Sequence, residues 1–127
     1  MNPPSFLAAS LTVALGGGFG AWLRYVVGRL VPLGGFPWAT LTVNIAGSFA
    51  MGLLVGWLAR HDAGESWRLL LGVGLLGGFT TFSAFSLELV NMIESGDAGL
   101  AGTYALVSVI AGVAGLFAGL MMMRVLA

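Results

Sequence analysis

A row of polar side chains in an apolar stretch is the first feature of this sequence that suggests chemistry. Thr40, Asn44 and Ser48 recur at every fourth position, and at about 3.6 residues per turn they form one stripe on a helix. Asn44 is the most demanding of the three, because its amide brings two donors and two acceptors into apolar surroundings. The stripe is either an interhelical hydrogen bond worth about 1 kcal/mol or part of a binding site.

A second polar group lies in the sequence GLLGGFTTFSAFSLE, residues 74–88. Gly77 and Gly78 are poor helix formers, so we expect the helix to break there and to free main-chain carbonyls, which are good ligands for a small cation such as Na⁺. Phenylalanines at three-residue spacing follow, interleaved with hydroxyl residues: Phe79, Phe82 and Phe85 with Thr80, Thr81, Ser83 and Ser86. Such phenylalanines are usually core residues, but hydroxyls on the same turns also fit an ion-lined surface.

Two charged residues also lie within apolar segments. Arg24 is the only cation well inside one of them, and it can either pair with Glu88 or attract anions. Glu88 lies near the end of its segment. It is therefore either an acid that reaches the membrane interface or a residue of a pore mouth. Polar residues at membrane depth are functional candidates by default, because hydrocarbon makes them costly.

Side-chain donors dominate this inventory. Tyr104 and Ser108 share one helix face, whereas Gly112 and Leu116 further along have no side-chain donor. Hydroxyl and amide donors can replace the hydration shell of an anion, and the edges of phenylalanine rings carry the positive end of the ring quadrupole. Without a deep charge such a site binds an anion weakly enough to release it, as conduction requires.

Composition decides the class of protein. The chain has 127 residues, of which 58% are hydrophobic and 8% charged, with a net charge of zero and a mean hydropathy of +1.00. About a quarter of the residues in a soluble domain are charged, so a soluble enzyme, a basic nucleic-acid binder and a disordered tail are excluded. With no Cys and the single His61, the chain has neither a thiolate metal site nor a catalytic dyad.

Four long apolar segments predict four transmembrane helices at about 20 residues per span: about 6–31, 38–58, 69–92 and 100–126. Turn-like or charged stretches separate them at residues 32–37, 60–68 and 94–97. We therefore predict an all-α integral membrane protein, one transmembrane domain over residues 1–127 with the third helix broken near Gly77 and Gly78. Small residues four apart in every span predict close helix crossings: Gly16 and Gly20, Gly52 and Gly56, Gly74 and Gly78, Gly115 and Gly119.

The arginines give little preference for one orientation. With four spans, both termini and the loop at 60–68 lie on one side of the membrane. That side has three arginines against two at most on the other: Arg60, Arg68 and Arg124 against Arg24 and Arg29. Because a bias in Lys and Arg sets orientation, so small a difference leaves insertion in both directions open.

Three motifs resemble a known family. GGGFGAWLRY (16–25), TLTVNIAGSF (40–49) and GGFTTFSAFSLE (77–88) resemble the first-, second- and third-span patterns of the small fluoride channels called Fluc or CrcB. The resemblance covers nearly all of the chain, and the third motif is long and unusual. Ala84 departs from it, because the family commonly has Thr there.

The resemblance implies an antiparallel, dual-topology homodimer in the bacterial inner membrane that exports fluoride passively along two pathways at the subunit interface. It implies that Phe82 and Phe85 face fluoride through their ring edges and that Asn44 is the donor near them. Ser83, Tyr104 and Ser108 then continue the polar track. Because Gly112 and Leu116 offer no side-chain donor, water or donors of the facing subunit such as Thr40 would complete the shell around the ion. Arg24 resembles the family's vestibule arginine. Main-chain carbonyls of Gly77 and Thr80 from both subunits are implied to hold a structural Na⁺ at the dimer centre.

Two other classes of protein compete with this interpretation. A small dual-topology drug or cation transporter also has four helices, but it needs a membrane-embedded acid in its first span, where this chain has Arg24. A structural subunit of a membrane complex would explain the glycines but not the polar stripe beside the Phe–Ser run. An enzyme is not expected, and neither is a nucleic-acid partner; the partners expected are fluoride, a second copy of the chain and the lipid bilayer.

Overall fold

Helices make up the protein. The structure, a computed structural model, describes residues 4–31, 34–61 and 63–126. In chain order they form α1 (Phe6–Leu30), α2 (Trp38–His61), α3 (Glu65–Trp67), a π-helix (Arg68–Leu76), α4 (Gly77–Phe79), α5 (Phe82–Glu94) and α6 (Ala98–Val125). No strand occurs among these described residues. Parts of the predicted stretches at 32–37 and 60–68, namely residues 32, 33 and 62, lie outside them, as do residues 1–3 and 127 of the predicted domain.

Four helical stretches are long and apolar enough to cross a membrane. They are α1, α2, the interrupted third span Glu65–Glu94, and α6, with 24 to 30 residues each. About 20 helical residues already cover the roughly 30 Å of a hydrocarbon core. The prediction of four transmembrane helices is confirmed. The second and third spans begin or end a few residues beyond the predicted limits, because the helix continues into the charged loop.

The third span is interrupted at Thr80 and Thr81. Thr80 has φ −81° and ψ 159°, and Thr81 has φ −151° and ψ 123°, both in the extended region that suits β-branched residues. The two glycines expected to break the helix lie just before this point, and Gly77 itself is helical, with φ −63° and ψ −37°. The predicted break is therefore present, but three residues later than the glycines.

Gly78 and glycines of the other spans serve close packing instead. A Cβ atom on Gly78 would overlap the main chain of Gly17 in α1, and one on Gly20 would overlap the main chain of Leu75. On the other side of the bundle, a Cβ on Gly52 of α2 would overlap the main chain of Leu116 in α6. The spacing of small residues thus predicted correctly where helices within the chain approach backbone to backbone.

A π-helix forms the first part of the third span, from Arg68 to Leu76. Its hydrogen bonds reach one residue further back than those of an α-helix, and the N–H of Gly77 still donates to the carbonyl of Gly72. Such helices are rare and are often found at functional sites. Here the π-helix leads directly into the short α4 and the break, while α1 packs along it.

Candidate functional site

Asn44 pairs with the main chain at the break. Its Nδ2 donates to the Thr81 carbonyl at 2.9 Å, and its Oδ1 accepts from the Thr81 N–H at 2.8 Å. In an uninterrupted helix that N–H would donate to the carbonyl of Gly77 instead. Asn44 therefore satisfies both peptide groups of a residue that cannot remain unpaired at membrane depth, and one Nδ2 hydrogen remains for another acceptor.

The hydroxyls at the break are also engaged locally. Thr80 Oγ1 donates to the Leu76 carbonyl at 2.9 Å, and the Thr80 methyl group lies where a Cβ on Gly47 would be. Thr81 Oγ1 caps α5 by accepting from the N–H of Ala84 at 3.2 Å. It also lies 3.3 Å from the hydroxyl of the exposed Ser83. Packing of Thr80 against Gly47 of α2, together with the Thr81 cap of α5, thus fixes the geometry of the break.

Arg24 reaches the same break from α1. Its Nε donates to the Gly78 carbonyl at 3.1 Å. Among the described residues the one ion pair is Glu65–Arg68, so Arg24 does not pair with Glu88. Of the two alternatives for Arg24, pairing with Glu88 is wrong.

Glu88 instead accepts two hydrogen bonds inside the bundle. Thr40 Oγ1 donates to Oε1 at 2.5 Å, and the Tyr104 hydroxyl donates to Oε2 at 2.7 Å. Tyr104 is fully buried and Thr40 nearly so, whereas Glu88 is half-buried. The carboxylate therefore accepts from both Thr40 and Tyr104, the two hydroxyls that are also candidate donors to an ion, and it lines an open cleft with Trp38, Asn91 and Met92.

The two phenylalanines of the motif have different surroundings. Their ring centroids are 5.7 Å apart, yet Phe85 is 8% exposed and Phe82 is 79% exposed. Phe85 packs edge-on against the Tyr104 ring with a centroid distance of 5.1 Å. Phe82 lines an open cleft of about 280 Å³ together with Asn44, Gly47, Ser48, Met51, Thr80, Thr81 and Leu116. This cleft brings the polar stripe of α2 and the break of the third span together.

Ser108 is an unpaired polar group beside this region. Its Oγ is buried and has no hydrogen-bond partner among the described residues. Further along α6, a Cβ on Gly112 would lie 3.6 Å from Ser48 Oγ and touch nothing else within 4 Å. The face of α6 that carries Ser108 therefore continues along the polar stripe of α2. A buried hydroxyl without a partner costs about 1–3 kcal/mol, which a bound acceptor would recover.

Main-chain oxygens are the candidates for a cation. Among the described residues no group of three or more His, Cys, Asp or Glu side chains is placed to hold a metal ion. The Gly77 carbonyl loses its helical donor because the Thr81 N–H donates to Asn44. Thr80 is extended rather than helical, so its carbonyl leaves the helical direction. These residues fit Na⁺, which prefers such freed carbonyls.

Sequence reasoning found the residues of this site but not all of their contacts. Thr40 and Asn44 share a stripe, yet one binds a carboxylate and the other a main chain. For Glu88 the sequence allows two interpretations, an acid at the membrane interface or a residue of a pore mouth. Its actual partners are 48 and 16 positions away in the sequence, and no local pattern around Glu88 predicts them.

Fold and site together define a small four-span membrane protein with an interrupted third helix whose break is bound by side chains of α1 and α2. The family model described as "CrcB-like protein, Camphor Resistance (CrcB)" matches residues 11–120. The chain belongs to this family.

Close relatives share nearly the full length of the chain. A protein of Novosphingobium aromaticivorans is 56% identical over 123 residues, covering 93% of this chain and 98% of its own. One of Hyphomonas neptunium is 59% identical over 120 residues, covering 90% and 94%. A third, of Phenylobacterium zucineum, is 55% identical over 123 residues, covering 93% and 97%. Each of these relatives carries the name "Fluoride-specific ion channel FluC".

Proposed function

We propose that this protein is a fluoride-specific ion channel of the bacterial inner membrane and not an enzyme. The observation that carries the proposal is identity of 55–59% over nearly full length to bacterial relatives of that name. The site agrees with it, because the cleft beside the break offers amide and hydroxyl donors and lacks a carboxylate. Fluoride is small and a strong hydrogen-bond acceptor, so a narrow, donor-rich path favours it over chloride.

A second copy of the chain completes the pathway. Phe82 and the cleft are open to the surroundings in one subunit, and the polar groups and interrupted backbone of such a surface are costly against lipid unless protein covers them. The small difference in arginine number across the membrane permits insertion both ways. We therefore assign the functional unit as an antiparallel homodimer with two pathways, one along each copy of the cleft.

Several groups replace water around fluoride along each pathway. The free Nδ2 hydrogen of Asn44, the hydroxyls of Ser83 and Ser108 and the ring edges of Phe82 and Phe85 supply the positive ends. Tyr104 and Thr40 act as a pair held by Glu88, and their hydroxyls serve an anion only when the carboxylate gives them up. Gly112 and Leu116 contribute no side-chain donor, so we expect the pathway to be more hydrated there.

A structural Na⁺ on the dimer axis belongs to the same proposal. The carbonyls of Gly77 and Thr80 would hold it, two from each subunit, and the ion would supply positive charge that offsets four converging oxygens. We expect that exchanging Na⁺ for a large organic cation lowers the melting temperature of the purified protein, because a ligand that binds only the folded state stabilises it. A melting temperature that does not change over a wide range of Na⁺ concentrations would contradict the proposal that Na⁺ binds to these carbonyls.

Efflux from liposomes tests the function. Vesicles loaded with fluoride or chloride and containing the pure protein should release fluoride and retain chloride, as followed by ion-selective electrodes. Because a channel is passive, the release should follow the fluoride gradient and ignore an imposed pH gradient. A drug or cation transporter would instead show flux that tracks protons. Protein-free vesicles, and vesicles with an unrelated four-helix protein, are the controls.

A further inference from the structure

We propose that Arg24 is a positioning residue that holds the break of the third span in its working geometry through its bond to the Gly78 carbonyl. The effect on conduction rests on the proposed function, whereas the geometry stands on contacts between α1 and α4 alone. The role differs from attraction of anions by a charge, and the two can be separated.

Contacts between α1 and the end of α4 carry the inference. Arg24 Nε lies 3.1 Å from the Gly78 carbonyl oxygen, and the Cα of Gly78 lies directly against the main chain of Gly17. Gly17 and Arg24 are seven residues apart, which puts them on one face of α1. The glycine contact brings α4 to α1, and the arginine then binds the carbonyl that faces it.

The charge of Arg24 suits this position. Helical backbone ends at Phe79, and the last carbonyls of a helix carry partial negative charge that a cation stabilises. Among the described residues no carboxylate lies within ion-pair distance of Arg24, since Glu88 binds Thr40 and Tyr104. The guanidinium keeps its charge at every relevant pH, so the bond does not switch off.

Loss of this bond would close the break. An unpaired Gly78 carbonyl at membrane depth is costly, and in a continuous helix its donor is the N–H of Phe82. Forming that bond would bring the Thr81 N–H back toward Gly77 and away from Asn44. Arg24 thus holds the carbonyl before the break, while Asn44 holds the peptide groups after it.

Two substitutions separate position from charge. In Arg24→Gln the side-chain amide nitrogen stands as many bonds from Cα as Nε does, so an N–H donor is retained and the charge is lost. In Arg24→Lys the charge is retained, but a methylene replaces Nε. We expect Gln to keep fluoride efflux within about threefold of wild type and Lys to lower it about tenfold, as loss of a hydrogen bond to a charged group predicts. A charge-attraction role predicts the reverse order.

The NMR chemical shift of the Gly78 carbonyl reports on the bond to Arg24 without any measurement of fluoride flux. Glycine precedes phenylalanine at three places, residues 18–19, 35–36 and 78–79. Carbonyl-¹³C glycine with ¹⁵N phenylalanine therefore gives three NMR signals. We expect the carbonyl chemical shift of Gly78 to change in Arg24→Lys and to remain at its wild-type value in Arg24→Gln. The carbonyl shifts of Gly18 and Gly35 should be unchanged in both variants.

Each outcome bears on the role of Arg24. A Gly78 signal that is the same in all three proteins would overturn the bond. A signal kept in Arg24→Gln together with a flux as low as that of Arg24→Lys would show that conduction needs the charge, and would overturn the positioning role. Wild-type protein that passes no fluoride at all would instead contradict the proposed function, while the carbonyl signals still report on the bond.

Discussion

Asn44→Asp is expected to lower fluoride efflux about a hundredfold or more and to reduce the melting temperature. The substitution keeps the shape of the side chain but, when ionised, removes its donor. The Thr81 carbonyl, which accepts from Asn44 at 2.9 Å, is then unpaired and lies against a negative charge. A barrier raised by about 2.7 kcal/mol corresponds to that factor, and the unpaired carbonyl together with repulsion of the anion supplies it.

Asn91→Asp is the matched control. Asn91 is exposed near the end of α5, and the bonds it receives from Ser95 go to its main-chain carbonyl. The same chemical change there adds a screened charge and should leave efflux close to wild type. If both variants lose flux equally, general charge rather than the break explains the effect. If Asn44→Asp conducts normally, Asn44 neither holds the break nor contacts the ion.

Phe82→Ile and Phe85→Ile are expected to differ in a way that the sequence alone does not suggest. Both remove a ring edge and should lower fluoride efflux at least about tenfold, the effect of roughly 1.4 kcal/mol. Phe85→Ile should also destabilise the protein by about 1–3 kcal/mol, because this ring is buried against Tyr104 and its loss leaves a cavity. Phe82→Ile should destabilise the protein less than Phe85→Ile does, since Phe82 is 79% exposed within its own subunit.

Efflux and thermal unfolding in detergent measure the two effects side by side. Phe19→Ile is the control, because Phe19 is an exposed phenylalanine of α1 that stacks on Trp22 and lies outside the cleft. It should conduct like wild type. If both Phe82→Ile and Phe85→Ile conduct fluoride normally, the two rings only pack and do not contact the ion.

The sequence predicted the four spans because hydrocarbon imposes long apolar helices on any chain that crosses it. It also predicted an interruption of the third span, but not its position. Gly77 and Gly78 have low helix propensity, yet this turn is helical and Gly78 packs against Gly17 of α1. The helix breaks at Thr80 and Thr81 instead, because Asn44 and Gly47 of α2 contact these residues. Helix propensities describe single residues and therefore do not include contacts with another helix.

Site residues were easier to find than their partners. Any polar side chain in an apolar span stands out, so Thr40, Asn44, Glu88 and Tyr104 were recognisable. Which of them meet depends on how α2, α5 and α6 are rotated about their axes. The Thr40–Glu88–Tyr104 contact joins three helices, and no periodicity within one helix gives that rotation.

The π-helix at Arg68–Leu76 sets the rotational phase of everything that follows it in the third span. Each residue of an α-helix turns the chain by about 100°, and the wider turns of a π-helix advance it less. Shortening this stretch by one residue would therefore turn Gly78 away from Gly17 and Thr81 away from Asn44 together. The length of the π-helix thus determines which way the residues after it face. The number of residues between Arg68 and Leu76 is therefore constrained by the contacts of Gly78 and Thr81, even where the side chains of the π-helix contact only lipid.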